Sequence, residues 1–421
     1  MIPLRYGLGN VDWQQRIDWE ALRKKRIERA NQFMSKYGIG AALVYNHDRK
    51  RYLSSVWCHP YERAIPANFV LFIRDNGFPY VPVLTHLDAD RIAEDCPWLE
   101  GRLLNEHELL QPHLTMYKTE SQLKKQYSTC ARQVKDLLKK HGVSDMPVSI
   151  DYGSPGLIHG LEAEGLTVVD GSPWIDECGM VKFDEEIICM KVAASITEAG
   201  YGAVLRDTRV GMKENAVQGI MIKAIYEAGG EYEEGWVVNA GDRTNPRSFN
   251  WSDRPLRPRE FLSLEACHVN WCGYKVCYDR SFLVGAEPTE LQKEVYQTAV
   301  EMQAKFEDLL KPGITTHELA EKKPRPGENL KTIEQIKQWR AQWSNHMGGM
   351  GIAWDSAPYF YEKEEDAEVV IERNMTLAYH ALFWAEGEAG GVAIENTYRV
   401  TETGCESLTR WPYEDIMILG L

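Results

Sequence analysis

The chain has 421 residues, enough for two domains that each bury their own core. Its formal net charge of −14 argues against the basic face that nucleic acid or an anionic membrane asks of a partner, so neither is expected. Nine cysteines, an odd number, stand in a chain whose start lacks the apolar core of a signal peptide and which shows no 18-residue apolar span, so a cytoplasmic protein with reduced thiols is expected.

Residues 19–37 carry apolar side chains at helical spacing and end at Gly38, a C-terminal cap. Residues 41–45 read as a buried strand, and 68–73 with 79–83 as a hairpin about Asp75-Asn76-Gly77. Helix, strand and helix follow at 122–141, 147–151 and 156–164, which makes an α/β domain with its boundary after Asp170. The predicted domains are therefore 1–170 and 171–421. Beyond the boundary a strand leads into a long helix running to about Arg206, with Asp184 as its N-cap, and a second helix spans 213–228. Trp236 to Ala240 then reads as a strand entering the polar loop Gly241-Asp242-Arg243-Thr244-Asn245-Pro246.

The densest chemistry lies between Arg259 and Phe282, two β-rich runs about Gly273-Tyr274. Strand alternation puts Glu265 and Cys267 on one face of the first run, and Cys277 and Asp279 on one face of the second. Paired as a hairpin, they bring four metal-competent or proton-transferring side chains together. Further on, a glycine-rich turn, His346-Met347-Gly348-Gly349-Met350-Gly351, leads to Trp354, Asp355 and Pro358. Two more strands carry His380 with Trp384, and Glu395.

The hairpin resembles that of the pita-bread superfamily, which includes methionine aminopeptidase, Xaa-Pro peptidases, creatinase, ectoine hydrolase and a dimethylsulfoniopropionate lyase. Gly273-Tyr274 and Arg280-Ser281 keep the frame, but the positions of the family's two aspartates read Cys267 and Cys277. Gly348 stands where the family has a histidine, with His346 two positions earlier, and His380 stands where metal-binding relatives have a glutamate. Glu395 keeps its glutamate. The string Gly241-Asp242-Arg243-Thr244-Asn245-Pro246 and the closing residues resemble the dimethylsulfoniopropionate lyase branch. The resemblance implies an α/β (α+β) chain, a creatinase-like N-terminal domain followed by a pita-bread catalytic domain, acting as a homodimer. A loop at Trp57, Cys58, His59 and Tyr61 is the expected contact with the second subunit.

The same resemblance bears on cofactors. Two thiols and an imidazole do not suit the pair of hard ions that the family's carboxylate cage holds. No metal is the expected state, as in creatinase; the alternative is one zinc or iron ion held by Cys267, Cys277, His380 and Glu395.

Glu265, Asp279, Asp355 and Glu395 suit a cationic or zwitterionic small molecule. Trp271, Trp384, Trp354 and Trp251 are candidates for a cage around an onium head, although thirteen Trp and twenty Tyr also suit an aromatic core and interface. Arg243 is the candidate for a substrate carboxylate. The expected reaction is β-elimination, with Asp355 as the base that the lyase resemblance implies, unless it is a solvated loop residue. Two alternatives remain: a C–N hydrolase in which Asp279 holds the cation and His380 or His346 shuttles the proton, and an inactive ligand-binding homologue. Peptidase action is the least expected.

Overall fold

The computed structural model describes residues 17–57, 68–83, 86–112, 118–244, 247–248, 250–324, 345–349, 356–359, 368–385 and 390–420. It divides into two compact units, Asp18–Gly179 and a second beginning at Met180.

The first unit holds a four-stranded sheet in the order β2 (Val70–Ile73), β1 (Ala41–Val44), β3 (Val148–Ile150), β4 (Val168–Asp170). β1 pairs antiparallel with β2 and parallel with β3, which pairs parallel with β4. Helix α1 (Trp19–Lys36) begins where Asp18 accepts from the Ala21 amide at 3.0 Å. Helix α2 (Glu120–Lys140) starts with a capping box between Thr119 and Gln122. The unit runs past Asp170 because residues expected to form a strand make a helix instead, α3 (Ser172–Met180). Its buried Trp174 donates to Ser149 Oγ at 3.0 Å, Tyr37 donates to Glu177 at 2.9 Å, and Arg49 pairs with Asp176.

The second unit is organised by a nine-stranded sheet. Seven strands run in the order β11 (Ser356–Tyr359), β10 (Asn345–Gly349), β12 (Thr376–Ala385), β13 (Gly390–Val400), β9 (Asp279–Val284), β6 (Phe261–Cys267), β5 (Gly235–Ala240). A separate ribbon pairs β7 (Val269–Trp271) with β8 (Tyr274–Val276). Its two-residue turn is Cys272-Gly273, both at positive φ, one place earlier than the expected Gly273-Tyr274.

Alternation along the strands assigns the two faces. Leu262, Leu264, Ala266, Tyr278, Phe282 and Val284 enter one core with α4 (Asp184–Asp207) and α5 (Glu214–Glu227). Tyr379, Ala381, Phe383, Val392, Ile394 and Tyr398 enter another with α6 (Glu290–Leu309). There Gln303 donates to the carbonyls of Tyr379 and Ile394 at 3.0 and 2.6 Å. With a period of two, Glu265, Cys267 and Asp279 are left on the face away from α4 and α5, and His380 and Glu395 on the face away from α6.

Helix α4 meets the length and apolarity of a membrane span, contrary to the expectation that no such stretch exists, but 67% of that window is buried inside this fold. It is a core helix. Its N-cap is Phe183 rather than Asp184: Glu186 reaches back to the Phe183 amide at 2.7 Å, while Asp184 accepts from Asn374 at 2.9 Å.

Candidate active site

Register builds the site as a row across neighbouring strands. Asp279 on β9 lies opposite Glu265 on β6 and opposite Glu395 on β13, and Glu395 in turn lies opposite His380 on β12. Directly opposed residues of antiparallel strands share a face and approach closely. All four are buried, Asp279 completely. Beside the row, Cys267 Sγ lies 3.3 Å from Cys277 Sγ, and both thiols approach Glu265 Oε1.

Into this acidic row reaches Arg247. One guanidinium nitrogen donates to Glu265 Oε2 and Asp279 Oδ2, both at 2.5 Å, and the other lies 3.0 Å from His380 Nε2. The same imidazole nitrogen is 3.2 Å from Asp279 Oδ2, and Nδ1 is 3.9 Å from Glu395 Oε2. Nε2 therefore stands between a group that can only donate and one that accepts. A bare Nε2 receives the Arg247 hydrogen bond; an Nε2 that carries a proton gives it to Asp279. Burial disfavours the imidazolium, but Glu395 and the Asp279 hydrogen bond outweigh it and raise the His380 pKa above its ordinary value. Burial likewise opposes ionisation of Asp279, and Arg247 and His380 overcome it, so its pKa lies below the usual carboxylate range.

The thiols behave otherwise. The Cys277 contact favours ionisation of Cys267, yet burial and the carboxylates of Glu265 and Glu395 hold its pKa well above the ordinary thiol value. The hydrogen bond to Cys267, then burial, does the same to Cys277.

Several expected residues stand elsewhere. Asp355 and Trp354 lie outside the described residues, as do Cys58, His59 and Tyr61. The backbone of His346 is opposite His380, and that of Trp384 opposite Gly391; their side chains are outside the description. Arg243, expected to meet a substrate carboxylate, is engaged by Glu214 at 3.1 Å and by Ser248 and Asn250. Trp271 packs against the core beneath α4 and α5 rather than lining the row, and Trp251 is exposed. The reason for Trp271 is local: His268 adopts φ +57°, which breaks the alternation, so Val269 joins the core that its odd-numbered neighbours Glu265 and Cys267 face away from. His268 itself is buried.

No motif in the sequence marks Arg247. The one available signal was its place at the end of the Gly241–Pro246 loop, four residues beyond Arg243.

The sequence model of metallopeptidase family M24 matches residues 188–402, just over half of the chain. The chain belongs to metallopeptidase family M24. This M24 protein is 25% identical over 299 residues to the dimethylsulfoniopropionate lyase DddP of Roseovarius nubinhibens, a match covering 68% of this chain and 65% of the lyase, so the chain spans a little under two thirds of that relative's length. It is 24% identical over 409 residues to the creatinase of a Bacillus species, covering 92% of this chain and 90% of the creatinase. Among solved structures, the Xaa-Pro dipeptidase from Bacillus anthracis superposes with a TM-score of 0.72 at 20% identity, over 94% of this chain and all of that one. The fold is thus the pita-bread fold of the prolidases. Lyase, creatinase and dipeptidases, one of them from Pyrococcus horikoshii at 19% identity, all stand among the relatives. Likeness therefore gives no ground for setting peptidase chemistry aside, contrary to the expectation from sequence.

A metallopeptidase family implies divalent ions, and the residues present do not fit a pair of them. Glu265 and Asp279 already neutralise a guanidinium, and at Cys267 and Cys277 sulfur stands where a pair of hard ions wants carboxylate oxygen. Nor do the four residues expected around one zinc or iron form a single cluster. Among the described residues the ligand-competent groups are Glu265 with Cys267 and Cys277, and Glu265 with His380 and Glu395.

Proposed function

We propose that this M24 protein is a small-molecule lyase that acts on a zwitterion bearing an onium or other cationic group and a carboxylate. The observation that carries the reading is the row itself: three buried carboxylates, Glu265, Asp279 and Glu395, face one guanidinium and one imidazole. That imbalance favours a cationic head over a neutral or anionic one. In the β-elimination, a base removes the proton from the carbon next to the carboxylate. The released electron pair forms the carbon–carbon double bond, and the bond to the onium atom breaks with its pair leaving on the neutral sulfide or amine. Asp355 is the base this reading assigns, and His380 holds or passes the proton at Nε2. The similarity to the Roseovarius lyase supports the substrate class.

The test is incubation of the purified protein with dimethylsulfoniopropionate, following acrylate and dimethyl sulfide. Release that Asp355→Asn and His380→Gln abolish is expected; release no greater than in those variants overturns the reading.

A second reading, hydrolysis of a C–N bond, draws on the creatinase match, which spans nearly the whole of both chains. Here Asp279 holds the cation and His380 moves the proton. Oxygen from labelled water enters the product in hydrolysis and not in elimination. Turnover of Xaa-Pro dipeptides by the same preparation would favour the peptidases.

A further inference from the structure

We propose that Arg247 is the site's own resident cation: its guanidinium stands where the ligand-competent group of Glu265, His380 and Glu395 would take a divalent ion, and keeps one out. Three observations support this. First, one ligand atom each from Glu265, His380 and Glu395 lies within 4.8 Å of the other two, close enough to bind one ion together. Arg247 already contacts two of those three residues, Glu265 at 2.5 Å and His380 at 3.0 Å, and takes the neighbouring Asp279 as well. An ion in that group would sit beside a charge that no attainable pH removes. Second, the guanidinium supplies what an ion would supply. It offers fixed positive charge to two carboxylates and a directed contact to the imidazole, but through hydrogen bonds in a planar fork rather than through coordination.

Third, the arginine is built in rather than adventitious. Its loop pairs back on itself through the Thr244–Arg247 bridge. It is tied to β13, the strand that carries Glu395, by the Gly391 amide donating to Thr244 Oγ1 at 2.8 Å. The side chain is nearly buried, with 11% exposure. Arg247 is thus a positioning residue for Glu265, Asp279 and His380. The inference does not depend on whether the reaction is elimination or hydrolysis.

The experiment measures ion binding by substrate-free protein purified without a histidine tag. Wild type, Arg247→Lys, Arg247→Ala and Arg247→Gln are dialysed against cobalt or zinc, and bound metal is counted by elemental analysis. Cobalt coordination is read from its visible absorption. Wild type and Arg247→Lys, which keep the positive charge, are expected to retain no stoichiometric ion. Arg247→Ala and Arg247→Gln are expected to take up one ion per chain at least about tenfold more tightly. Adding His380→Gln to Arg247→Ala should abolish that uptake and the cobalt spectrum. Tight stoichiometric binding by wild type overturns the proposal whatever the variants do. So does a folded Arg247→Gln protein that binds no better than wild type. If Arg247→Ala fails to fold, the Gln variant decides, because it keeps part of the side chain's apolar stem and a polar end while removing the charge.

Discussion

Thr244 and Gly391 meet where the loop bearing Arg247 crosses the start of β13: a Cβ on Gly391 would lie 2.6 Å from the carbonyl oxygen of Thr244. No side chain fits there without moving backbone. Gly391→Ala should therefore displace the loop, costing about 1–3 kcal/mol of stability, and should lower turnover further by withdrawing Arg247 from Asp279. Denaturant unfolding together with turnover checks this; wild-type values for both would mean the contact does not set the loop.

The raised pKa of His380 gives a direction for the pH profile. If the protonated imidazole is the working form, the alkaline limb of activity falls as the pH rises through a midpoint above the ordinary histidine value of about 6.5. Glu395→Gln removes the leading cause of the rise and should move that limb to lower pH. A limb that stays in place in the variant would assign the titration to another group.

Glu186 joins the start of α4 to the ribbon. It accepts from Tyr274 Oη at 2.6 Å and from the Phe183 amide at 2.7 Å, and is fully buried. Glu186→Ala removes the acceptor for both donors at once and should cost roughly 2–4 kcal/mol, read as a fall in the urea midpoint. Glu186→Gln keeps one acceptor oxygen and should cost less.

Burial pushes the thiols of Cys96 and Cys130 up to about 12. A folded pKa above the unfolded one stabilises fully below the unfolded value, near 8.5–9, and that stability is lost as pH rises toward the folded value. Stability should thus decline from about pH 9 upward, with a shallower slope in Cys130→Ala than in wild type. A slope unchanged by the substitution would show that Cys130 takes no part in it.

What the sequence revealed and what it withheld divide along physical lines. The spacing of Glu265, Cys267, Cys277 and Asp279 gave their shared face, because alternation in an antiparallel pair depends only on neighbouring residues. It misplaced Trp271, since one residue at positive φ, His268, reverses the parity, and histidine is no reliable mark of that conformation. Of the two loop arginines, alternation could not choose. Arg243 is captured by Glu214 on α5, and Arg247 reaches the row because Gly391, 147 residues after Thr244, leaves room for the loop. Such a fit belongs to the assembled sheet and to no local stretch. Residues 172–180 coil into a helix although a strand was expected there, held by tertiary contacts such as Trp174 with Ser149.

The partners that converge on His380 come from far away along the polypeptide: Asp279 is 101 positions distant and Arg247 133. During refolding, short-range pairings such as the Cys272-Gly273 turn can form early, whereas the reaction centre must wait until these long loops have closed. Recovered catalysis would accordingly report the final step of refolding, and a fragment ending before β13 would keep a hairpin but have no competent centre.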